Sequence, residues 1–206
     1  MDTKQGYILV VEDIPDILEL IDTTLRFKGF RVITAGNGEE ALEVIKKELP
    51  LMVLSDILMP KMDGFNLLHR LRINPVTRTI PVIFLSATYV APEDKEFAQA
   101  IGVTRFIEKP INIDEFLLTI KDLLAQGGHS ALQEPLTGPD FYKEYRIRLK
   151  TKLAQKSKQI ARLERLLETA PAEEKKSFQD SLLLAANEQE EIRLLLEQIR
   201  NQSDEN

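Results

Sequence analysis

Short apolar runs alternate with longer amphipathic stretches through the first 125 residues of the chain. Each run has about four to six residues and each stretch about ten to fifteen, an alternation typical of βα units on a parallel sheet. The runs predict strands near residues 7–11, 30–34, 51–55, 80–85 and 103–107. The stretches predict helices near residues 14–28, 38–48, 64–74, 93–101 and 112–125. We therefore expect an α/β fold with a doubly wound, five-stranded parallel sheet of order 2-1-3-4-5.

The pattern changes after residue 125. Three glycines and two prolines within residues 126–139 predict a linker between two domains, residues 1–125 and 140–206. Beyond the linker, apolar residues recur at heptad spacing along two helices that are interrupted near Pro171, which predicts an antiparallel, coiled-coil-like helical hairpin. The predicted apolar seam, which we also expect to serve as the dimer seam, consists of Tyr145, Leu149, Leu153, Ile160, Leu163, Leu167, Phe178, Leu182, Ala185, Ile192, Leu196 and Ile199.

Charge also favours the hairpin. The first helix is basic over residues 143–165, whereas the second carries a cluster of glutamates near its end. Folding back would set Lys150 near Glu191 and Lys143 near Glu197, although each exposed pair contributes only roughly 0–1 kcal/mol. Leucines outside the seam are too many for one partner helix to cover, so we expect a homodimer built as a four-helix bundle. The alternatives are a hairpin that packs on its own N-terminal domain and one that binds another protein.

Polar side chains end four of the predicted strands. Glu12 and Asp13 follow the first strand, Asp56 the third, Ser86 the fourth and Lys109 the fifth. A single carboxylate at such a place is often a solvated loop residue or a helix cap. The carboxyl ends of parallel strands, however, meet at one edge of the sheet, where open α/β folds bind their ligands. The sequence therefore predicts one site formed by all five side chains.

These five positions and their order resemble the receiver domain of two-component response regulators, in which a histidine kinase passes a phosphoryl group to an aspartate. The resemblance covers about residues 5–125 and implies a flavodoxin-like fold with Asp56 as the phosphoacceptor. It implies a sensor histidine kinase or phosphotransfer protein as the partner. It also implies a Mg²⁺ ion held by Glu12, Asp13, Asp56 and the backbone carbonyl of Leu58, a set of hard oxygen ligands of the kind that Mg²⁺ accepts.

The same resemblance assigns roles around the phosphate. Lys109 would neutralise one phosphate oxygen, and the Ser86 hydroxyl would donate to another. Phe106 stands where receivers carry an aromatic residue that swings inward on phosphorylation; the alternative is an ordinary core aromatic. The bond before Pro110 is usually cis in this family. The chain departs from the commonest pattern in having Glu12 in place of Asp and Leu58 two residues after the acceptor, and neither change removes a required charge.

Composition excludes several other classes. Cysteine is absent, so the chain has neither disulfides nor thiolate metal sites, which suits a cytoplasmic protein. No apolar run approaches the ~20 residues that span a bilayer, and the amino terminus lacks a leader pattern, so no membrane association is expected. The formal net charge of −6 disfavours a globally basic nucleic-acid-binding protein.

The expected function is a phosphorylation-dependent response regulator. It is not an enzyme, apart from its own phosphorylation and dephosphorylation, and its hairpin is a dimerising or partner-binding output. One alternative is a transcriptional or antitermination regulator that binds nucleic acid through the basic helix 143–165, although no helix-turn-helix spacing supports it. Another is a metal-dependent phosphatase, which lacks its second acidic residue because Leu58 stands there. His69 is expected on the surface, and the hairpin contains no histidine that could donate a phosphoryl group.

Overall fold

The computed structural model of the protein describes residues 6–86, 92–125, 136 and 138–203. The chain divides into two compact units, Met1–Leu136 and Thr137–Asn206. The predicted linker falls almost entirely outside the described residues, but its last two residues already belong to a helix that begins at Gly138. This helix starts before the predicted residue 140 because Pro139 is tolerated in the first helical turn. The N–H groups of that turn have no acceptor within the helix, so a proline there costs no hydrogen bond.

Five parallel strands form the sheet of the first unit, in the order β2-β1-β3-β4-β5, which confirms the predicted topology. The strands are β1 (Tyr7–Val11), β2 (Arg31–Ala35), β3 (Met52–Asp56), β4 (Val82–Ser86) and β5 (Arg105–Glu108). Asp56 and Ser86 are the last residues of their strands rather than the first residues beyond them. A polar side chain can end a strand because the ladder needs only the backbone groups.

Five helices connect and flank the strands. They are α1 (Pro15–Phe27), α2 (Gly38–Lys47), α3 (Gly64–Ile73), α4 (Pro92–Ala100) and α5 (Ile113–Ala125). Asn37 and Asp63 cap α2 and α3, since their side chains accept hydrogen bonds from backbone N–H groups of the first turn. Gly29 and Gly102 follow α1 and α4 with φ of 86° and 90°, a backbone conformation that glycine adopts without strain.

Both faces of the sheet are buried, as expected for parallel strands covered by helices. One face packs Val10, Leu54 and Leu85 in a single apolar cluster with Ile21 of α1 and Phe116 of α5. The opposite face carries an aromatic cluster. The ring of Phe84 lies 5.4 Å from that of Phe65 in α3 and 5.7 Å from that of Phe106 in β5. The rigid sheet fixes the strand ends that carry the polar side chains.

The second unit consists of two 32-residue helices, α6 (Gly138–Thr169) and α7 (Ala172–Ser203), which pack against each other. Every residue of the predicted seam is buried or half-buried. Lys156 forms an ion pair with Glu188, and Gln189 Nε2 donates to Ser157 Oγ at 2.8 Å. Lys150 lines the same small cavity as Glu197. The expected pairs of Lys150 with Glu191 and of Lys143 with Glu197 stay predictions.

His69 is 1% exposed, so the expectation that it lies on the surface was wrong. Burial lowers the pKa of its imidazole to about 4, because the charged form loses hydration. Periodicity could not indicate this burial, since α3 carries two arginines beside several apolar residues and has no clear polar face. Within the described residues, no helix is both long and apolar enough to cross a membrane.

Candidate functional site

Three carboxylates converge at the carboxyl end of the sheet. Glu12 and Asp13 directly follow β1, and Asp56 ends the neighbouring strand β3. One carboxylate oxygen from each of the three lies within 4.8 Å of the others. Glu12 is almost fully buried, whereas Asp13 and Asp56 are half-buried. The cluster is therefore reachable from solvent and lies on rigid elements.

One ammonium group faces this cluster. Lys109, which follows β5, donates from Nζ to Asp56 Oδ1 at 2.6 Å and to Glu12 Oε2 at 2.7 Å. Its backbone N–H donates to the carbonyl of Ser86 at 2.6 Å. The peptide bond between Lys109 and Pro110 is cis. The lysine thus contacts the ends of three strands. Among the residues that the structure describes, its ammonium is the one cation that faces the three carboxylates.

The electrostatics follow from that imbalance. Burial raises the pKa of Glu12, Asp13 and Asp56, and the attraction of Lys109 only partly offsets this effect. Burial alone would lower the pKa of Lys109, but the negative charge of Asp56 and the hydrogen bonds to both carboxylates raise it. Lys109 therefore stays protonated, while its single positive charge does not fully compensate the three carboxylates.

Backbone groups orient the Asp56 carboxylate. The N–H of Leu58 donates to Asp56 Oδ2 at 3.0 Å, so the two oxygens have different neighbours. The site depends on a residue whose role sequence reasoning missed. A Cβ on Gly64 would lie 2.4 Å from the carbonyl oxygen of Asp56, and the Gly64 N–H donates to Ile57 O at 2.9 Å. Only glycine lets α3 start so close to the acceptor; the sequence Asp63-Gly64 was the available signal.

Ser86 and Phe106 lie on the strands beyond Asp56. In the ladder Asp56 pairs with Leu85, which places Ser86 next to the acceptor, and Ser86 itself is 3% exposed. Phe106 is half-buried, pairs with Phe84 in the ladder and meets its ring edge-on. The five predicted polar residues therefore lie at the ends of neighbouring strands, at one edge of the sheet. Phe106 lies on β5, the strand that Lys109 follows.

The donor set fits a small divalent cation. All three clustered side chains offer carboxylate oxygens, which are the ligands that Mg²⁺ prefers. Burial raises the pKa of each carboxyl, and a bound cation would offset the cost of burying their charged forms. Leu58 lies in the segment that follows β3, and its backbone N–H donates to Asp56. An apolar cavity borders the site on the side of α1, where Ile17, Leu20 and Pro110 contribute to its lining beside Lys109.

Comparison with known proteins gives this arrangement a family. The model of the response regulator receiver domain matches residues 8–121, more than half of the chain. The chain belongs to the response regulator receiver family. It is thus related to signalling proteins of two-component systems, as the motif resemblance implied.

Individual relatives agree. An uncharacterized 14.6 kDa protein of Leptolyngbya boryana is 39% identical over 114 residues, which cover 55% of this chain and 86% of that protein. The probable transcriptional regulatory protein TcrX of Mycobacterium tuberculosis is 34% identical over 62% of this chain and 53% of its own length. The crystal structure of a putative response regulator from Chloroflexus aurantiacus superposes with a TM-score of 0.56 at 34% identity, covering 59% of this chain and 99% of that one. The chain therefore spans about half the length of a curated relative such as TcrX.

Proposed function

We propose that the protein is a phosphorylation-dependent response regulator in which Asp56 accepts a phosphoryl group from a histidine kinase or a phosphotransfer protein. The observation that carries this proposal is the cluster of Glu12, Asp13 and Asp56, two of whose carboxylates, Glu12 and Asp56, pair with the ammonium of Lys109. A half-buried carboxylate that is held by hydrogen bonds on both oxygens is well oriented for attack on phosphorus.

In the proposed reaction an oxygen of Asp56 forms a bond to phosphorus while the bond from phosphorus to the donor histidine breaks. The imidazole leaves and takes up a proton, and Asp56 becomes an acyl phosphate. Glu12, Asp13, Asp56 and the Leu58 carbonyl are the groups that would hold Mg²⁺, which would offset the charge that develops on the phosphoryl oxygens.

Lys109 has a second proposed role in signalling. In the unphosphorylated protein its ammonium bridges Asp56 and Glu12. Phosphorylation would convert one of these carboxylates into a more highly charged phosphate, to which the ammonium would turn. We propose that the Ser86 hydroxyl also donates to the phosphate and that Phe106 follows it inward. A phenylalanine ring has no hydroxyl to desolvate, so its inward state is less costly than that of a tyrosine.

The output is proposed to be the α6–α7 hairpin, acting as a homodimer or through another protein. Its seam joins α6 to α7, and three leucines of α7 remain at least half exposed. They are Leu183, Leu184 and Leu194, with exposures of 64%, 62% and 50%. Leu183 and Leu194 are eleven residues apart, about three helical turns, so they share one face. An apolar face of this kind suits a second copy of the hairpin.

A second candidate function is nucleic-acid binding through α6. The relative TcrX is named as a transcriptional regulatory protein, and residues 143–165 of this chain are rich in lysine and arginine. Contacts to phosphates would make retention on DNA or RNA strongly salt-dependent. Retention that persists with Lys150→Glu and Lys158→Glu introduced together would exclude α6 as the contact.

The proposed function is tested by measuring the mass of the protein in solution, with and without acetyl phosphate and Mg²⁺. Acetyl phosphate with Mg²⁺ should label the protein once and change its oligomeric state or its cross-linking pattern. Lys109→Ala should fold with Mg²⁺ present, accept label and lose the change that labelling causes. Labelling of the wild type without any effect on mass or cross-linking would reject the hairpin as the output. The full labelling effect in Lys109→Ala would reject Lys109 as the coupling residue.

A further inference from the structure

An apolar groove lies between α2 and α3, far from the acidic cluster. Both helices run back antiparallel to the strands, so their C-terminal ends lie beside the amino ends of β3 and β4. The groove has a volume of about 670 Å³ and is lined by the last turns of the two helices and the segment after α3. It is separated from Asp56 by the five residues of β3, roughly 15 Å.

Three large aliphatic side chains of this groove are exposed. Leu49 is 47% exposed, Ile73 51% and Val76 64%. A single exposed aliphatic residue is ordinary on a protein surface, but these three line the same concavity. Such a grouping on a folded domain marks a contact surface.

The rim of the groove is positively charged. Lys46, Lys47 and Arg70 line it, together with one carboxylate, Glu48. That carboxylate is already engaged, since Arg31 donates to both of its oxygens at 2.5 and 2.9 Å.

Lys46 also has a partner, because it pairs with Glu43 on the same helix. Both side chains of that pair are largely exposed, so the pair holds the ammonium only weakly. The apolar floor therefore has a net positive border, to which a partner with carboxylates is complementary.

We propose that this groove binds an amphipathic helix of a partner protein, with aliphatic side chains on the face that enters the groove and carboxylates on its flanks. A helix is the element that presents apolar side chains at i, i+3, i+4 and i+7 to a groove of this kind. The carboxylates would meet Lys47 and Arg70. Among the residues that line the groove, none is aromatic, so it offers no stacking platform for nucleic-acid bases.

The position of the groove makes its binding independent of phosphorylation. The proposed switch lies at the carboxyl ends of the strands, whereas the groove lies at their amino ends. The inference thus goes beyond the proposed function: the receiver would hold this partner in both signalling states. Failure of one proposal leaves the other intact, because labelling at Asp56 and peptide binding are measured separately.

The test uses the full chain and a fluorescent, four-turn model peptide with leucines along one face and glutamates on both flanks. Fluorescence anisotropy should show saturable binding, with Kd unchanged within about twofold by acetyl phosphate and Mg²⁺. Ile73→Glu and Val76→Glu, tested separately, should each weaken binding by at least about tenfold, as removal of an interface anchor does. Lys47→Glu with Arg70→Glu should also weaken it. Circular dichroism establishes that each variant is folded.

Two controls make the result specific. Phe27→Glu changes a side chain of α1 that is 84% exposed, outside the groove, and should leave Kd unchanged. A peptide with lysines in place of its glutamates should bind at least about tenfold more weakly, because it would meet a rim of like charge. The proposal is overturned if the acidic peptide does not saturate, if both groove variants bind it as the wild type does, or if the lysine peptide binds equally well.

Discussion

Asp56 illustrates what single residues in the sequence can and cannot reveal. Its place at the end of an apolar run, with Glu12, Asp13 and Lys109 at other strand ends, was enough to predict one site. That prediction was possible because the geometry of parallel sheets brings strand ends together. The need for glycine at position 64 was not evident from residue types alone. It arises because a Cβ there would lie 2.4 Å from the carbonyl oxygen of Asp56.

Leu58 leads to a prediction about the lifetime of the phosphorylated state. Its side chain lies two residues beyond the acceptor and is apolar, so it cannot orient a water for hydrolysis of an acyl phosphate. Leu58→Asn should speed dephosphorylation by about tenfold or more, a modest gain for a positioned polar group. Intact-mass measurement after removal of acetyl phosphate follows the decay. Leu118→Asn, at an exposed position of α5, is the control. Unchanged or slower decay in Leu58→Asn would reject this account.

His69 leads to a prediction about pH. Its pKa is about 4 in the folded protein and about 6.5 in an unfolded chain, so the unfolded chain binds the proton more tightly. The stability that this difference provides is present above pH 6.5 and is lost as the pH falls toward 4. His69→Leu should therefore lose less stability than the wild type between pH 7 and 4.5, by about 1–3 kcal/mol.

Urea unfolding at the two pH values measures this difference. His129→Gln, which replaces the other histidine, should behave as the wild type does; residue 129 lies outside the described residues. Parallel losses of stability in the wild type and in His69→Leu would show that His69 is not the titrating group.

At the scale of elements, periodicity was sufficient for the number, type and order of strands and helices in the sheet. It was not sufficient for the register of the hairpin. Heptad spacing identifies which face of each helix is apolar, but many registers bury the same faces, and exposed ion pairs discriminate weakly among them. In the structure Lys156 pairs with Glu188 and Gln189 donates to Ser157, and the charges alone did not predict either contact.

The seam gives a prediction at this scale. Leu182 and Leu196 are half-buried on the face of α7 that meets α6, so Leu182→Glu with Leu196→Glu places carboxylates between the helices. Helicity of the second unit should fall markedly, because each buried charge costs several kcal/mol. Circular dichroism of the full chain measures the loss. The adjacent pair Leu183→Glu with Leu184→Glu is the control and should keep its helicity. Equal helicity in both double variants would contradict the seam.

At the scale of the whole molecule, the receiver fold followed from the sequence, but the assembly did not. The seam lies between α6 and α7 of one chain, so a dimer needs a different surface. We expect Leu183→Glu with Leu194→Glu, which share one face of α7, to convert a dimer into a monomer of 23.5 kDa while helicity stays unchanged. Light scattering after size-exclusion chromatography measures the mass. Ile147→Glu, at an exposed position of α6, is the matched control. A double variant of unchanged mass would mean that the leucines bind something other than a second copy.

The central claim is that Asp56 is the phosphoacceptor and requires a divalent cation. Its most direct test is the intact mass of the wild type and of Asp56→Asn after incubation with acetyl phosphate and Mg²⁺. The account predicts one added phosphoryl group on the wild type. It predicts none when EDTA removes the cation, because three clustered carboxylates then repel the incoming anion. It also predicts none on Asp56→Asn, which lacks the acceptor carboxylate. Labelling of Asp56→Asn at a stoichiometry close to that of the wild type would contradict it.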